Sequence, residues 1–420
     1  MGLAFYLMFR LIFPPMVRFA GLSCNSLFLA IFVLILFVFH FKLIRTAPVL
    51  FKKVSKHTII LFVGLLSLTF FAEFVPIDFQ LKHLIQFFYT EVIPFLLIPL
   101  VVRTESEYKT FLYMISLAAL FNVSYGLFTF ITNTNPIVDI FGTNMEDFDT
   151  DIALSEEGRY GLSSKAVGIY SNKIFMSLVS MLIFTFFYNK VYIRKNYILL
   201  LLAIAVLTCF LTTQRTALFC ILIFVFLVAN KKKIVLYFKK YFFILSCLFI
   251  VVFFSPPFKI VREFVYSTVY IFDDKKQEDI GNQGSSVSMR FGQIKGVVEV
   301  VGPFVFQGLG YGFGSYREGT SLDIAGLYGL ESFAFKILVN SGLVGFFLWI
   351  LFLYRIIKLS ISLGTNEKRY NIAYSFSYLI AIMMTDTSGS FFLFLVFLGL
   401  NTNGSSMITS SNVYKQLDKR

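Results

Sequence analysis

The sequence predicts an all-α polytopic membrane protein of about twelve transmembrane helices, and three observations carry that prediction. Of 420 residues, 57% are hydrophobic and only 15% are charged, well under the roughly 25% charged content of an ordinary soluble domain. So small a polar fraction cannot cover a water-facing surface. The apolar residues also gather into runs that reach or approach the roughly 20 residues needed to cross a hydrocarbon core as helix. Finally, lysine and arginine concentrate in alternate connections between those runs, as positive-inside topology requires.

Taken in order, the runs place spans near 2–17, 26–41, 58–76, 83–102, 110–131, 166–188, 197–212, 216–230, 241–256, 331–354, 371–386 and 388–400. The first contains Arg10 and the Pro14-Pro15 pair and superficially resembles a signal peptide, but no small-residue cleavage site follows, so it reads as a membrane helix. With the N-terminus inside, the inside connections hold Lys42, Arg45, Lys52, Lys53 and Lys56, then Arg103 and Lys109, then Lys190, Arg194 and Lys195. Further along they hold Lys231, Lys232, Lys233, Lys239 and Lys240, and finally Arg355, Lys358, Lys368 and Arg369. The short outside connections offer Arg18, Lys82 and Arg215. Both termini are therefore expected on the cytoplasmic side, in agreement with an even number of spans. The net charge of +13 is then a topology signal and not the footprint of a nucleic acid, which is not expected as a partner.

Two outside segments are too long for plain connections, and such loops commonly carry function. Residues 132–165 include Asp139, Glu146, Asp147, Asp149, Asp151, Glu156 and Glu157, and residues 257–330 form the longest polar stretch. The chain thus divides into N-terminal spans (1–131), an acidic outer loop (132–165), central spans (166–256), a large outer loop (257–330), C-terminal spans (331–400) and a cytoplasmic tail (401–420). No internal repeat or heptad seam interrupts this plan. Cys24, Cys209, Cys220 and Cys247 fall in or beside apolar runs and away from both long loops. They are expected to be free thiols, with no structural metal.

Motifs of soluble enzymes are missing: there is no phosphate-binding loop, no His-Glu-x-x-His, no Cys-x-x-Cys and no Gly-x-Ser-x-Gly. The alternating glycines Gly308, Gly310, Gly312 and Gly314 follow no strand-helix pattern and lie outside, which argues against a nucleotide site. His40, His57 and His83 lie in or beside early spans and read as packed or interfacial side chains. What remains is a set of outer-face arginines. Arg159 ends the acidic loop, Arg290 lies midway through the large one, and Arg215 sits in Thr212-Thr213-Gln214-Arg215-Thr216 between two short runs. That turn is expected to lie below headgroup level in a cavity, where a charge needs a partner. A guanidinium fork matches phosphate oxygens; the alternative for each arginine is a snorkelling side chain or one paired with the acidic loop. Glu331 opens a span directly after the large loop. There it serves either as a partly desolvated general base or as an acid stabilised by the helix dipole. Glu91 and Asp386 are the other acids in or at spans; Glu91, near Pro94, either lines a polar path or pairs with a neighbouring helix.

In order along the outer face come Gly158-Arg159-Tyr160-Gly161, Gly168 to Asn172, Thr213-Gln214-Arg215, Ser288-Met289-Arg290, Gly308-Leu309-Gly310-Tyr311-Gly312, Glu331, and Asn340-Ser341-Gly342-Leu343-Val344-Gly345. Over about 158–350 this pattern resembles the Wzy-type polysaccharide polymerases and O-antigen ligases. The resemblance implies a bacterial inner-membrane glycosyltransferase of the GT-C-like lipid-carrier class, all-helical, with the large loop periplasmic over a cavity. Its substrates would be undecaprenyl-pyrophosphate-linked oligosaccharide repeat units; no cofactor and no metal are implied, because pyrophosphate is already the leaving group. Membrane lipids surround such a protein, and a chain-length-regulating membrane protein is a further partner the resemblance suggests. Carried over to this chain, Arg215 and Arg290 would bind pyrophosphate, Arg159 would assist, and Glu331 would act with Arg215 in catalysis, near the acceptor hydroxyl. The ligases typically carry a His at the end of the large loop, whereas this chain has Glu331 there and no His after His83, so the polymerase is expected. A flippase would share the helix count but should pair polar helices about the midplane with short loops on both sides. A purely structural or partner-binding membrane protein would need no clustered outer arginines.

Overall fold

The computed structural model describes residues 2–12, 18–19, 22–39, 48–132, 215–228, 287–314, 332–363, 368–384 and 391–400, with single positions at 136, 266, 270, 273 and 316. In chain order the helices are α1 (Gly2–Ile12), α2 (Cys24–Phe39), α3 (Val49–Thr69), α4 (Ile77–Phe87), a π-helical turn (Phe88–Val92), α5 (Ile93–Val101), α6 (Glu105–Thr132), α7 (Arg215–Val228), α8 (Val287–Val301), α9 (Phe333–Leu363), α10 (Lys368–Met384) and α11 (Phe391–Leu400). A two-residue antiparallel ladder, Arg18–Phe19 with Leu22–Ser23, joins α1 to α2. The chain forms two compact units, one of residues 1–119 and 293–420 and the other of residues 120–292.

Among the described residues, two helical stretches are long and apolar enough to cross a bilayer: Ile77–Val101, continuous through the π-turn, and Phe333–Ser362. Gly2–Leu11, Ser26–Val38, Thr216–Val228 and Phe391–Leu400 are shorter apolar helices. The expected spans at 166–188, 197–212 and 241–256 lie outside the described residues. In the first unit α9 packs along α3 and against α10. Its centre is Trp349, ringed by Phe87 at 5.5 Å, Phe391 at 5.3 Å, Phe352 at 5.9 Å and Phe333 at 6.0 Å. On the opposite side of these helices Ile59, Val63, Phe347 and Ile350 are exposed, an apolar outer surface suited to lipid and not to water. In the second unit α7 buries Ala217, Cys220, Ile221, Phe224 and Val228 at helical spacing while Phe219, Leu222 and Phe226 stay exposed. Cys24 and Cys220 are free; Cys209 and Cys247 lie outside the described residues.

Helix ends depart from the apolar runs for identifiable reasons. Hydropathy put a span at 58–76, whereas α3 covers Val49–Thr69. Lys52, Lys53 and Lys56 lower the local hydropathy, yet their long stems ride the first turns of the helix with the ammonium groups in water. At the other end the chain bends at Phe74–Val75, and Pro76, which has no N–H and is itself extended (ψ 141°), caps the next helix, so the apolar run 70–76 leaves the helix and α4 starts at Ile77. The side chain of Gln80 then collects the carbonyls of Val75 (2.8 Å), Ala72 (3.3 Å) and Thr69 (3.4 Å) that the turn leaves unpaired. Helix α6 starts before the apolar run at 110 because Thr104 and Glu107 form a capping box. The Glu107 carboxylate accepts from the N–H groups of Arg103 (2.8 Å) and Thr104 (2.9 Å), and the Thr104 hydroxyl accepts from Glu107 N–H (3.2 Å).

Candidate functional site

Within the first unit, the two glycine-bearing segments that the sequence pattern singled out meet each other. Helix α9 is broken at Gly342, whose φ is +61° and ψ −166°, so the carbonyls before the break and the N–H groups after it lose their helical partners. The segment 305–310 fills the gap. Leu309 N–H donates to Val339 O (2.8 Å) and Gly310 N–H to Asn340 O (3.2 Å), while Leu343 N–H donates to Val305 O (2.7 Å) and Val344 N–H to Phe306 O (3.2 Å). Every donor and acceptor exposed by the break on these four residues is thus matched by main chain. At membrane depth, irregular backbone persists only under such protein cover.

Glycine is required at this crossing by space as well as by conformation. Gly308 has φ +75°, and a Cβ there would lie 2.4 Å from Gly342 N; a Cβ on Gly342 would lie 2.4 Å from Phe306 O. Any side chain at either position would force the two strands of main chain apart. Beneath the crossing Val75, Val297, Val301, Leu309, Phe313 and Val339 form a buried apolar cluster. Gln80 Oε1 accepts from Tyr311 N–H at 3.1 Å, so one buried amide ties the glycine turn to the α3–α4 connection. The ring of His83 lies tilted against Phe79, with centroids 4.4 Å apart, and approaches Gly312 so closely that a Cβ there would stand 2.8 Å from its Cγ. His83 thereby joins the glycine turn, a role its position in an early apolar run did not disclose.

The sequence-derived site residues are placed as follows. Arg215 is the first residue of α7, and Arg290 lies in the first turn of α8; both belong to the second unit, and their side chains lie outside the described set. Arg159 and Glu331 are outside the described residues. Ser332, the neighbour of Glu331, is buried; its hydroxyl donates to Ile382 O (3.3 Å) and accepts from Phe335 N–H (3.4 Å), capping α9 and fastening that helix start to α10. Among the described residues no group of three or more His, Cys, Asp or Glu is gathered to hold a metal.

The strongest charged constellation is one that sequence reasoning left open. Glu91, in the π-turn, pairs with Arg10 of α1 at 2.5 Å, and both are buried. Pro94 explains the geometry: lacking an N–H, it leaves the carbonyl of Thr90 without its helical donor, and Arg10 Nη1 donates to that carbonyl. The second carboxylate oxygen of Glu91 accepts the Phe392 N–H at 2.8 Å, at the start of α11, and the guanidinium lies 3.5 Å from the centroid of the Phe392 ring. A buried ion pair is tolerated when hydrogen bonds satisfy both ions. Here they do, and the pair fastens α1, the π-turn and α11 together. Of the two readings of Glu91, the structure supports pairing with a neighbouring helix.

Comparison with known families agrees with the family resemblance of the sequence. Residues 198–350 match the family model described as O-antigen ligase, a segment that contains Arg215, Arg290, the glycine turn, Glu331 and the break in α9. That match supports the O-antigen polymerase/ligase superfamily, and the bilayer-length apolar helices agree with a membrane protein. No curated protein matches the chain.

Proposed function

We propose that the protein polymerises undecaprenyl-pyrophosphate-linked oligosaccharide repeat units into O-antigen or capsular polysaccharide at the periplasmic face of the inner membrane. The observation that carries this reading is the docking of the glycine turn into the broken helix α9, which Ser332 caps, inside the family-matched segment. This arrangement fixes the backbone next to the large loop, and in this reading Glu331, the neighbour of Ser332, acts at the head of α9. In the reaction the anomeric carbon of the growing glycan breaks its bond to pyrophosphate and joins an acceptor hydroxyl oxygen. The hydroxyl proton passes to the Glu331 carboxylate, and the departing pyrophosphate is neutralised by Arg215 and Arg290, with Arg159 assisting. Polymerase is preferred to ligase because an acid stands where ligases typically carry a His. One observation favours the ligase instead: His83 lies against Gly312, so an imidazole is present at the glycine turn after all.

The test is deletion of the gene in its native bacterium, with surface polysaccharide resolved by gel and complementation by wild type, Arg215→Ala, Arg215→Lys and Glu331→Ala. Surface lipopolysaccharide capped with a single repeat unit is the expected phenotype of the deletion and of both alanine variants. Arg215→Lys keeps the charge but loses the bidentate fork and should shorten the polymer; wild-type length would favour a snorkelling arginine. Loss of every surface repeat unit, with lipid-linked polymer accumulating, would identify a ligase. An unchanged ladder would remove both activities and point to transport.

A further inference from the structure

Helices α3 and α9 enclose a cavity of about 260 Å³ lined by Lys56, His57, Ile60, Leu61, Leu348, Leu351, Phe352 and Arg355. It lies at the far end of these helices from the glycine turn, in the basic stretch that positive-inside counting assigns to the cytoplasm. Its lining is ordered along the helix axes. Lys56, His57 and Arg355 form the outer ring; one to two turns further into the bundle the wall is wholly apolar, with Ile60 on α3 and Leu348 and Leu351 on α9. Among the described residues no carboxylate pairs with Lys56 or Arg355. Ile60 and Leu351 are 46% and 44% exposed, so the apolar wall can be reached from the lipid-facing side.

We propose that this cavity binds an anionic phospholipid of the adjoining leaflet, with the phosphodiester held by Arg355 and Lys56 and the glycerol and upper acyl segment laid on the apolar wall. The guanidinium supplies a fork matched to two phosphate oxygens and the ammonium a compact second charge. A soluble phosphate would use the cations but leave the apolar wall without a partner. A zwitterionic lipid would bring its own cation beside Lys56 and Arg355. Basic recesses between transmembrane helices on the cytoplasmic side are the general form of such sites. The inference is independent of the glycosyltransferase reading.

Full-length protein reconstituted into phosphatidylcholine nanodiscs is titrated with phosphatidylglycerol, and bound lipid is counted by native mass spectrometry. Wild type should take up one phosphatidylglycerol saturably. Lys56→Gln and Arg355→Gln should each weaken uptake about five-fold and the double variant roughly thirty-fold. Leu351→Trp keeps the charges but fills the recess, and should abolish uptake. Lys358→Gln, on the same helix but outside the lining, should change it less than two-fold. Unfolding profiles in phosphatidylcholine alone confirm that each variant is intact, and Arg355→Lys, falling between wild type and Arg355→Gln, serves should the glutamine variant be unfolded. Equal weakening by Lys358→Gln would mean diffuse surface attraction and overturn the proposal. So would inorganic phosphate competing as strongly as the lipid, or undiminished uptake in Leu351→Trp.

Discussion

Replacing Gly308 with alanine sets a methyl group 2.4 Å from Gly342 N and 2.6 Å from Ser341 N. Both obstacles are main chain, so no rotamer change relieves the contact. Holding alanine at the left-handed φ of +75° costs about 1–2 kcal/mol. Separating the two segments forfeits the four hydrogen bonds between 305–310 and 339–344, at about 1 kcal/mol each. The expected loss is about 5 kcal/mol, a large part of the roughly 5–15 kcal/mol of a typical domain. Gly342→Ala opens the same gap from the other side, its methyl 2.4 Å from Phe306 O, and should cost about as much. The double variant should then be only about 1–2 kcal/mol worse than either single one, because the hydrogen bonds can be lost only once. Gly314, where an added methyl would meet nothing within 4 Å, is the control: Gly314→Ala should stay within about 0.5 kcal/mol of wild type. The assay is equilibrium unfolding in mixed micelles with a denaturing detergent, followed by fluorescence of the sole tryptophan, Trp349, which is buried beside Phe87 and Phe391. Strict additivity of the two glycine variants, or a Gly308→Ala cost below about 1 kcal/mol, would refute the crossing as described.

The same unfolding assay tests the ion pair: Arg10→Met should cost about 3–5 kcal/mol by leaving Glu91 buried and unpaired, whereas Arg10→Met with Glu91→Met should cost far less than the two single changes summed. A fully additive pair would mean that the two charges are not coupled. Gln80→Leu keeps the volume but leaves the Val75 carbonyl and the Tyr311 N–H without the partner they have at 2.8 and 3.1 Å; a loss of about 2–4 kcal/mol is expected, and one below about 1 kcal/mol contradicts the clamp. At Glu107 partial burial pushes the carboxyl up, but the hydrogen bonds from the Arg103 and Thr104 N–H groups outweigh it and hold the group below its ordinary value. Its capping contribution is therefore present above the ordinary carboxylate range and lost as pH falls through the lowered value. A spin label at Ser106 should gain mobility on acidification in wild type, and should show no such step in Glu107→Gln.

Among the described residues, helices are legible where a run of apolar residues has nothing in it to argue against the bilayer, as at Cys24–Phe39 and Arg215–Val228. Ends were lost where polarity and conformation part company: lysines on the first turns of α3 look like a loop to hydropathy, and Phe70 and Phe71 look like a span although Pro76 already governs the backbone. The glycine turn and Asn340-Ser341-Gly342 are each visible as motifs, yet their pairing joins main-chain atoms 30 to 38 residues apart and carries no side-chain signal. Positive φ at Gly308 and Gly342 is what alternating or isolated glycines can hint at, but which backbone approaches is decided only in three dimensions. Arg10 and Glu91 could have been matched by a simple rule, since two lone opposite charges in separate apolar runs each need a partner. What hid the match was Pro94, whose effect on the Thr90 carbonyl gives Arg10 its second anchor.

The break in α9 also has a history in time. The segment Phe333–Leu363, about 46 Å long as continuous helix, would enter the bilayer alone as an unbroken helix, because only then are its own N–H and C=O groups satisfied. Gly342 can adopt that conformation. The bend therefore belongs to a second stage, in which residues 305–310 descend beside the inserted helix and replace two of its internal bonds, Leu343 N–H to Val339 O and Val344 N–H to Asn340 O, with four external ones. Until that exchange the helix is a simple membrane span; after it, the two halves are separate rods hinged on a glycine and locked by a visiting strand of main chain.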